Sequence, residues 1–154
     1  MNGIAALFDT NVILAMVVEG HAHHDASVRS FEAVAPPGVA LAAHSLAEAY
    51  TTLTRALPRG FGASPQAAMA TLDRLLSETT LLGLSPSQTM AAIRAFARIE
   101  GRGPRLYDRL IGEVAAVHGI GTIVTWNTRH LAPLFPGLRV RTPSAFLAAV
   151  APSR

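Results

Sequence analysis

Residues 7–14 read LFDTNVIL, where Asp9, Thr10 and Asn11 interrupt an otherwise apolar run from Ile4 to Val18. A carboxylate dropped between a buried strand and the element after it has two readings. Aspartate caps helices, and aspartate at the end of a buried strand is also where an α/β protein would hold a metal ion. Companions decide between the two. The chain has aspartates at 9, 25, 73 and 108. Asp73 stands beside Arg74 on a polar helix face and reads as solvated. Asp108 lies one turn into the helix expected after Pro104, and the residue four further on is Gly112, so no helical ion-pair partner awaits it. Gly112 and Ala115 keep that flank small, which predicts a close approach by another segment; a carboxylate favoured by the helix dipole is the alternative. Glu48 also reads two ways. Ser45-x-x-Glu48 has the spacing of a capping box, yet Glu48 follows the apolar stretch VALAA, at the same end of the expected sheet as Asp9.

Gathering Asp9, Glu48 and Asp108 in one cleft is unfavourable unless something positive sits among them. An oxygen-only set, in a chain with no Cys and no obvious histidine ligand, favours a hard cation, Mg²⁺ or Mn²⁺. Such an ion polarises a phosphoryl oxygen and acidifies water, which is the chemistry of phosphodiester hydrolysis.

The elements that must position these groups alternate along the chain. IAALF (4–8), VALAA (39–43), TTLLGL (79–84) and GTIVT (121–125) read as short buried strands, with RVR (139–141) as a short edge strand. Between them, helical spacing marks NVILAMVVE, ASVRSFEAV, SLAEAYTTLTRAL, PQAAMATLDRLLSE, TMAAIRAFARIE and RLYDRLIGEVAAVHG, while WNTRHLAP reads as a polar turn. Ser64-Pro65, the box Ser85-Pro86-Ser87-Gln88 and Thr142-Pro143 are helix starts. Strands this short and apolar do not suit a half-exposed antiparallel sheet. The expected fold is a three-layer α/β/α sandwich with a mainly parallel central sheet, over one domain spanning 1–154. Such sheets bind ligands beyond the carboxyl ends of their strands, where Asp9 and Thr125-Trp126-Asn127 both fall.

Composition narrows the function classes. Half of the 154 residues are hydrophobic and 15% are charged, which argues against disorder. No apolar stretch approaches the ~18 residues of a membrane span, and the N-terminus lacks the basic region of a signal peptide. Together with the absence of Cys, this fits a cytoplasmic protein. All 13 basic residues are Arg, against 10 acidic ones, giving a net charge of +3. Arginine's planar fork suits phosphate oxygens, so the surface is compatible with a nucleic-acid partner, although a codon bias toward Arg explains it equally well.

FDTNVIL (8–14), AEAYTTLTR (47–55), YDRLIGEVAAVHG (107–119) and IVTWNTRHL (123–131) resemble, in order and spacing, the motifs of PIN-domain ribonucleases. Within that family the chain is most similar to the VapC-type toxins of bacterial toxin–antitoxin pairs. The resemblance implies a parallel sheet between helices, with the family's three acidic positions falling on Asp9, Glu48 and Asp108. It further implies Thr10, Asn11 and Thr125 as hydrogen-bonding groups around them. The fourth motif of the family is commonly T-x-D or T-x-N followed by x-x-D. Here it is Thr125-Trp126-Asn127 and then His130, so a fourth carboxylate is missing and Asn127 orients a water or ligand through its amide. Also implied are an RNA substrate, a homodimer, and a small antitoxin covering the acidic site.

Three rivals are weaker. His21-Ala22-His23-His24-Asp25 is a fragment of the zinc motif of metallo-β-lactamase-type hydrolases, but Ala26 stands where its last histidine should be, and a solvated loop is the plainer reading. The haloacid-dehalogenase phosphatases need a second Asp where Asn11 stands and a lysine the chain does not contain. A non-catalytic PIN-like RNA-binding or scaffold module would have no need of three clustered carboxylates.

Overall fold

The computed structural model describes residues 3–34 and 36–151. Five parallel strands form one sheet in the order β3-β2-β1-β4-β5: β1 Ala6–Phe8, β2 Val39–Ala42, β3 Thr80–Leu82, β4 Thr122–Val124 and β5 Arg139–Arg141. The central strands β1, β2 and β4 are buried throughout, whereas the edge strands β3 and β5 are partly open. This is why the sequence shows no polar alternation at the centre: both faces are covered. Period-two geometry still divides the side chains. Ala6, Phe8, Val39, Leu41 and Val124 join one core, and Leu7, Ala40, Ala42 and Ile123 join the other.

Over the first face lie α1 Thr10–Val17, α2 His24–Glu32, α3 Ala43–Thr54, α4 Pro65–Leu76 and α8 Pro143–Val150, contributing Val12, Ile13, Leu53, Leu72 and Phe146 to its core. Over the second lie α6 Arg105–Val117, which supplies Ile111, Val114 and Ala115, and α7 Thr128–Leu131, which supplies Leu131; α5 Pro86–Arg98 packs on α6. The expected three-layer parallel architecture is therefore the observed one.

The helix starts at Ser64, Ser85 and Thr142 are caps as expected, with Ser85 and Gln88 forming the reciprocal capping box. Two expectations are corrected. WNTRHLAP is not a turn: it contains α7 and a 3₁₀ turn over Ala132–Leu134, because Leu131 is drawn into the second core. GHAHHD is not wholly a break, since α2 already begins at His24.

The close approach expected at Gly112 is real. A Cβ there would stand 1.9 Å from Phe135 Cε2, so the ring of Phe135 lies directly on the helix backbone. Arg109 also lies over that ring, its guanidinium 5.0 Å from the centroid. Gly112→Ala should therefore destabilise the protein by about 1–3 kcal/mol through overpacking, outweighing alanine's better helix propensity. The midpoint of urea unfolding measures it; a neutral or stabilising effect would mean the ring moves aside at little cost. Six residues after Gly112, α6 ends at His118. Gly119 follows with φ +68°, and Gly119 N–H and Ile120 N–H donate to the Ala116 and Ala115 carbonyls. This is a Schellman ending, and it turns the chain directly into β4.

Candidate active site

Asp9 leaves β1 in extended conformation and is the N-cap of α1. Its Oδ1 accepts from Thr10 N–H at 2.7 Å, and its Oδ2 accepts from the Thr125 hydroxyl at 2.8 Å. Capping thus occupies one oxygen only. Thr125 is fully buried just beyond β4, and its Oγ1 also accepts from the Asn11 amide at 3.1 Å and from Asn127 N–H at 3.0 Å. The one hydroxyl proton has two acceptors in reach, Asp9 Oδ2 at 2.8 Å and Asn11 Oδ1 at 3.4 Å, and the shorter bond goes to Asp9. Asn11 is itself fixed, because its Oδ1 accepts from Trp126 N–H at 3.0 Å. Asn11 and Thr125 make the bonds around the acid that the motifs suggested, while Thr10 contributes its main-chain N–H.

Glu48 is not a capping-box residue. α3 starts at Ala43 with Ala42 as N-cap, so Ser45 lies inside the helix with its Oγ buried and without a hydrogen-bond partner among the described residues. Glu48 instead faces the other acids. Burial raises its pKa first, then the charges of Asp9 and Asp108, together to about 7. Asp9 is raised by burial, opposed by its bonds to Thr125 and Thr10, and raised further by Asp108. Burial also raises Asp108, opposed by its neighbours His130 and Arg105. The three carboxyls come from the end of β1, from α3 and from α6, near enough for their charges to act on one another. Among the described residues Arg105 and His130 act on Asp108, and no basic side chain acts on Asp9. The nearest base to Glu48 is His44, whose Nε2 is 3.9 Å from Oε1, and burial lowers the pKa of that imidazole.

Several groups around the cleft carry no signal in the sequence. His44 stacks on Tyr107, ring centroids 6.2 Å apart and planes 27° apart. Arg105 donates to the His130 carbonyl at 3.2 Å, and the His130 imidazole meets the Asn127 amide at 3.1 Å. The Asn127 side chain is thus engaged with His130 at the rim. The histidine loop is not simply solvated either: His23 stacks on Trp126 at 4.0 Å, Trp126 donates to Ser27, and His24 bonds the Ala15 carbonyl. Among the described residues no three His, Cys, Asp or Glu side chains stand close enough to be a ready-made metal cage, in that loop or elsewhere.

Comparison with known proteins decides the family. The model of the PIN domain matches residues 6–132, which takes in Asp9, Glu48, Asp108 and Asn127. The chain belongs to the PIN-domain family. The PIN domain is 34% identical over 110 residues to ribonuclease VapC27 of Mycobacterium tuberculosis, covering 71% of this chain and 76% of that protein. Its fold is that of M. tuberculosis VapC20, a sarcin–ricin-loop-cleaving toxin, with a TM-score of 0.67 at 22% identity over 84% of this chain and 95% of the other. It is also that of a toxin–antitoxin complex from Klebsiella pneumoniae, with a TM-score of 0.63 at 22% identity over 90% and 98%. Ribonucleases of this kind are typically metal-dependent.

The raised acid at Glu48 gives this PIN domain a measurable pH signature. A carboxyl whose folded pKa lies above its unfolded value favours the fold most when protonated, and that contribution is lost as pH rises. For Glu48 the window runs from the ordinary value of 4.5 to about 7. Its side chain keeps 39% of its surface open, so water screens part of the effect. In chelator, the stability of the natural protein should fall relative to Glu48→Gln across that window and level off above it. Urea midpoints of both proteins against pH check this, and a pH-independent difference would contradict it.

Proposed function

We propose that this PIN domain is a metal-dependent endoribonuclease, the toxin of a VapBC-type pair, hydrolysing RNA phosphodiester bonds in the cytoplasm. The observation that carries the reading is the geometry at Asp9, whose two carboxylate oxygens are clamped by Thr10 N–H and the Thr125 hydroxyl, with Glu48 and Asp108 near enough for their charges to act on one another. The donor set fits Mg²⁺ or Mn²⁺: all oxygen, anionic, and short of positive charge. Asp9 and Asp108 would be its principal ligands, with half-buried Glu48 assisting. When bound, the ion supplies charge that polarises the scissile phosphoryl group and acidifies the attacking water. The protein's own groups do the rest. Thr125 and Thr10 fix the direction of the Asp9 lone pairs, Asn127 positions water or ligand from the rim, and Arg105 and His130 draw the RNA backbone toward Asp108.

The relatives named ribonuclease and toxin support this reading, and the Klebsiella structure of a toxin–antitoxin complex supports an antitoxin partner. By the same reading the protein is a homodimer, and the antitoxin covers the acidic cleft with an arginine among its carboxylates. A scaffold role would leave unexplained why a buried threonine spends its only proton on an acid held among other acids.

The amide at Asn127 bears on metal number. A carboxylate holds a divalent ion by charge, whereas an amide offers only a dipole, so Asn127 would hold a second ion weakly. Calorimetric titration of the RNA-free protein with Mn²⁺ should give one well-occupied site, and Asn127→Asp should strengthen a second. Two tight sites in the unaltered protein would refute this assignment. Loss of the single site in Asp9→Asn tests the proposed function itself.

A further inference from the structure

On the α3 side of the acids runs a groove lined by His44, Ala47, Glu48, Thr51, Arg55 and Tyr107. Glu48 is its one acid and marks the catalytic end. Arg55, the C-cap of α3, marks the far end: it is exposed and forms no salt bridge among the described residues. Seven residues of helix separate the two by about 10 Å along the axis, the length of a few stacked nucleotides. That far end is fixed, since the Thr52 and Arg55 carbonyls accept from Phe61 N–H at 3.2 Å and Gly62 N–H at 2.9 Å. Tyr107 forms the wall next to Asp108 and is 47% exposed, although large apolar rings are ordinarily covered. Burial of Tyr107 in the core is therefore not its role. It is nonetheless oriented, because His44 stacks on it from α3.

An exposed, pre-oriented aromatic face beside Glu48, with a guanidinium farther along the same groove that forms no salt bridge among the described residues, is the arrangement that binds single-stranded nucleic acid: a base stacks on the ring and a phosphate pairs with the cation. We propose that this groove is a substrate subsite in which Tyr107 stacks a base next to the scissile phosphate and Arg55 holds a backbone phosphate beyond it. The inference rests on the ribonuclease reading and adds where the strand lies. His44 is a positioning residue here, holding the Tyr107 ring at its angle.

The test is the affinity of the full chain for short single-stranded oligo(A) and oligo(U) in EDTA, read by fluorescence anisotropy. Tyr107→Ala should raise Kd about 5- to 100-fold, with rescue by Tyr107→Phe, which keeps the face and loses only the hydroxyl. The Tyr107→Ala defect should vanish on an abasic strand, which has phosphates but no bases to stack. Arg55→Gln should lower the slope of log K against log salt by about 0.7, on normal and abasic strands alike. Unchanged Kd in Tyr107→Ala, with metal-dependent cleavage intact in the natural protein, overturns the subsite and leaves the ribonuclease reading standing. RNA affinity unaltered in both variants while a co-expressed antitoxin is lost would assign the groove to a protein partner instead. Failure of the natural protein to bind or cleave any RNA overturns both.

Discussion

Asp9→Ala is expected to lower RNA cleavage by at least about 10³-fold. Asp9 is the deepest of the three acids and the one most completely held, by Thr10 N–H on one oxygen and the Thr125 hydroxyl on the other. Losing the several kcal/mol of charge stabilisation that a metal ion at Asp9 would supply, at 1.36 kcal/mol per tenfold, amounts to three powers of ten or more. Asp9→Asn isolates charge from shape. Asparagine is as good a helix cap as aspartate, so α1 should keep its start while the ion is lost. Initial rates on a cleavable RNA in Mg²⁺ or Mn²⁺ measure the effect. Asn127→Ala should lose much less, because it removes a positioning amide and not a ligand. Equal losses in Asp9→Ala and Asn127→Ala would show that the fourth motif had been misjudged.

Thr125→Val should cost about 10- to 100-fold in kcat/KM, the range typical of groups that orient a metal ligand. Valine fills the same space but leaves Asp9 Oδ2, the Asn11 amide and Asn127 N–H without their shared partner. Each buried group so orphaned is worth about 1–3 kcal/mol, so unfolding should also come at lower urea. Thr125→Ser restores the hydroxyl and should recover most of the rate. If Val and Ser behave alike, the hydroxyl does not orient Asp9, and the loss belongs to packing.

The sequence made the sheet and the acids legible for different reasons. Ala6-Leu7-Phe8 and Val39–Ala42 are central strands covered on both faces, so unbroken apolar runs betray them. Asp9 and Asp108 stood out because each broke a local rule: a charge in an apolar run, and a helical acid without a partner four residues on. Gly112 announced a contact whose other member, Phe135, could not be read, since nothing in a one-dimensional string pairs them. Ser45 misled through spacing. S-x-x-E marks a cap only if the helix begins at the serine, and here it begins two residues earlier, immediately after β2. The His44–Tyr107 stack and the Arg105–His130 bond join segments far apart in sequence, and only the fold brings them to the rim.

Metal add-back decides whether Asp9, Glu48 and Asp108 hold, as proposed, a hard divalent ion with which this chain cuts RNA. The purified protein is stripped with EDTA, incubated with RNA, and supplied in turn with Mg²⁺, Mn²⁺ or Zn²⁺, with Asp9→Asn and His23→Ala alongside. Cleavage should cease in EDTA and return with Mg²⁺ or Mn²⁺ in the natural protein and in His23→Ala, but not in Asp9→Asn. Cleavage that survives EDTA, or that returns only with zinc and is lost in His23→Ala, would contradict the account.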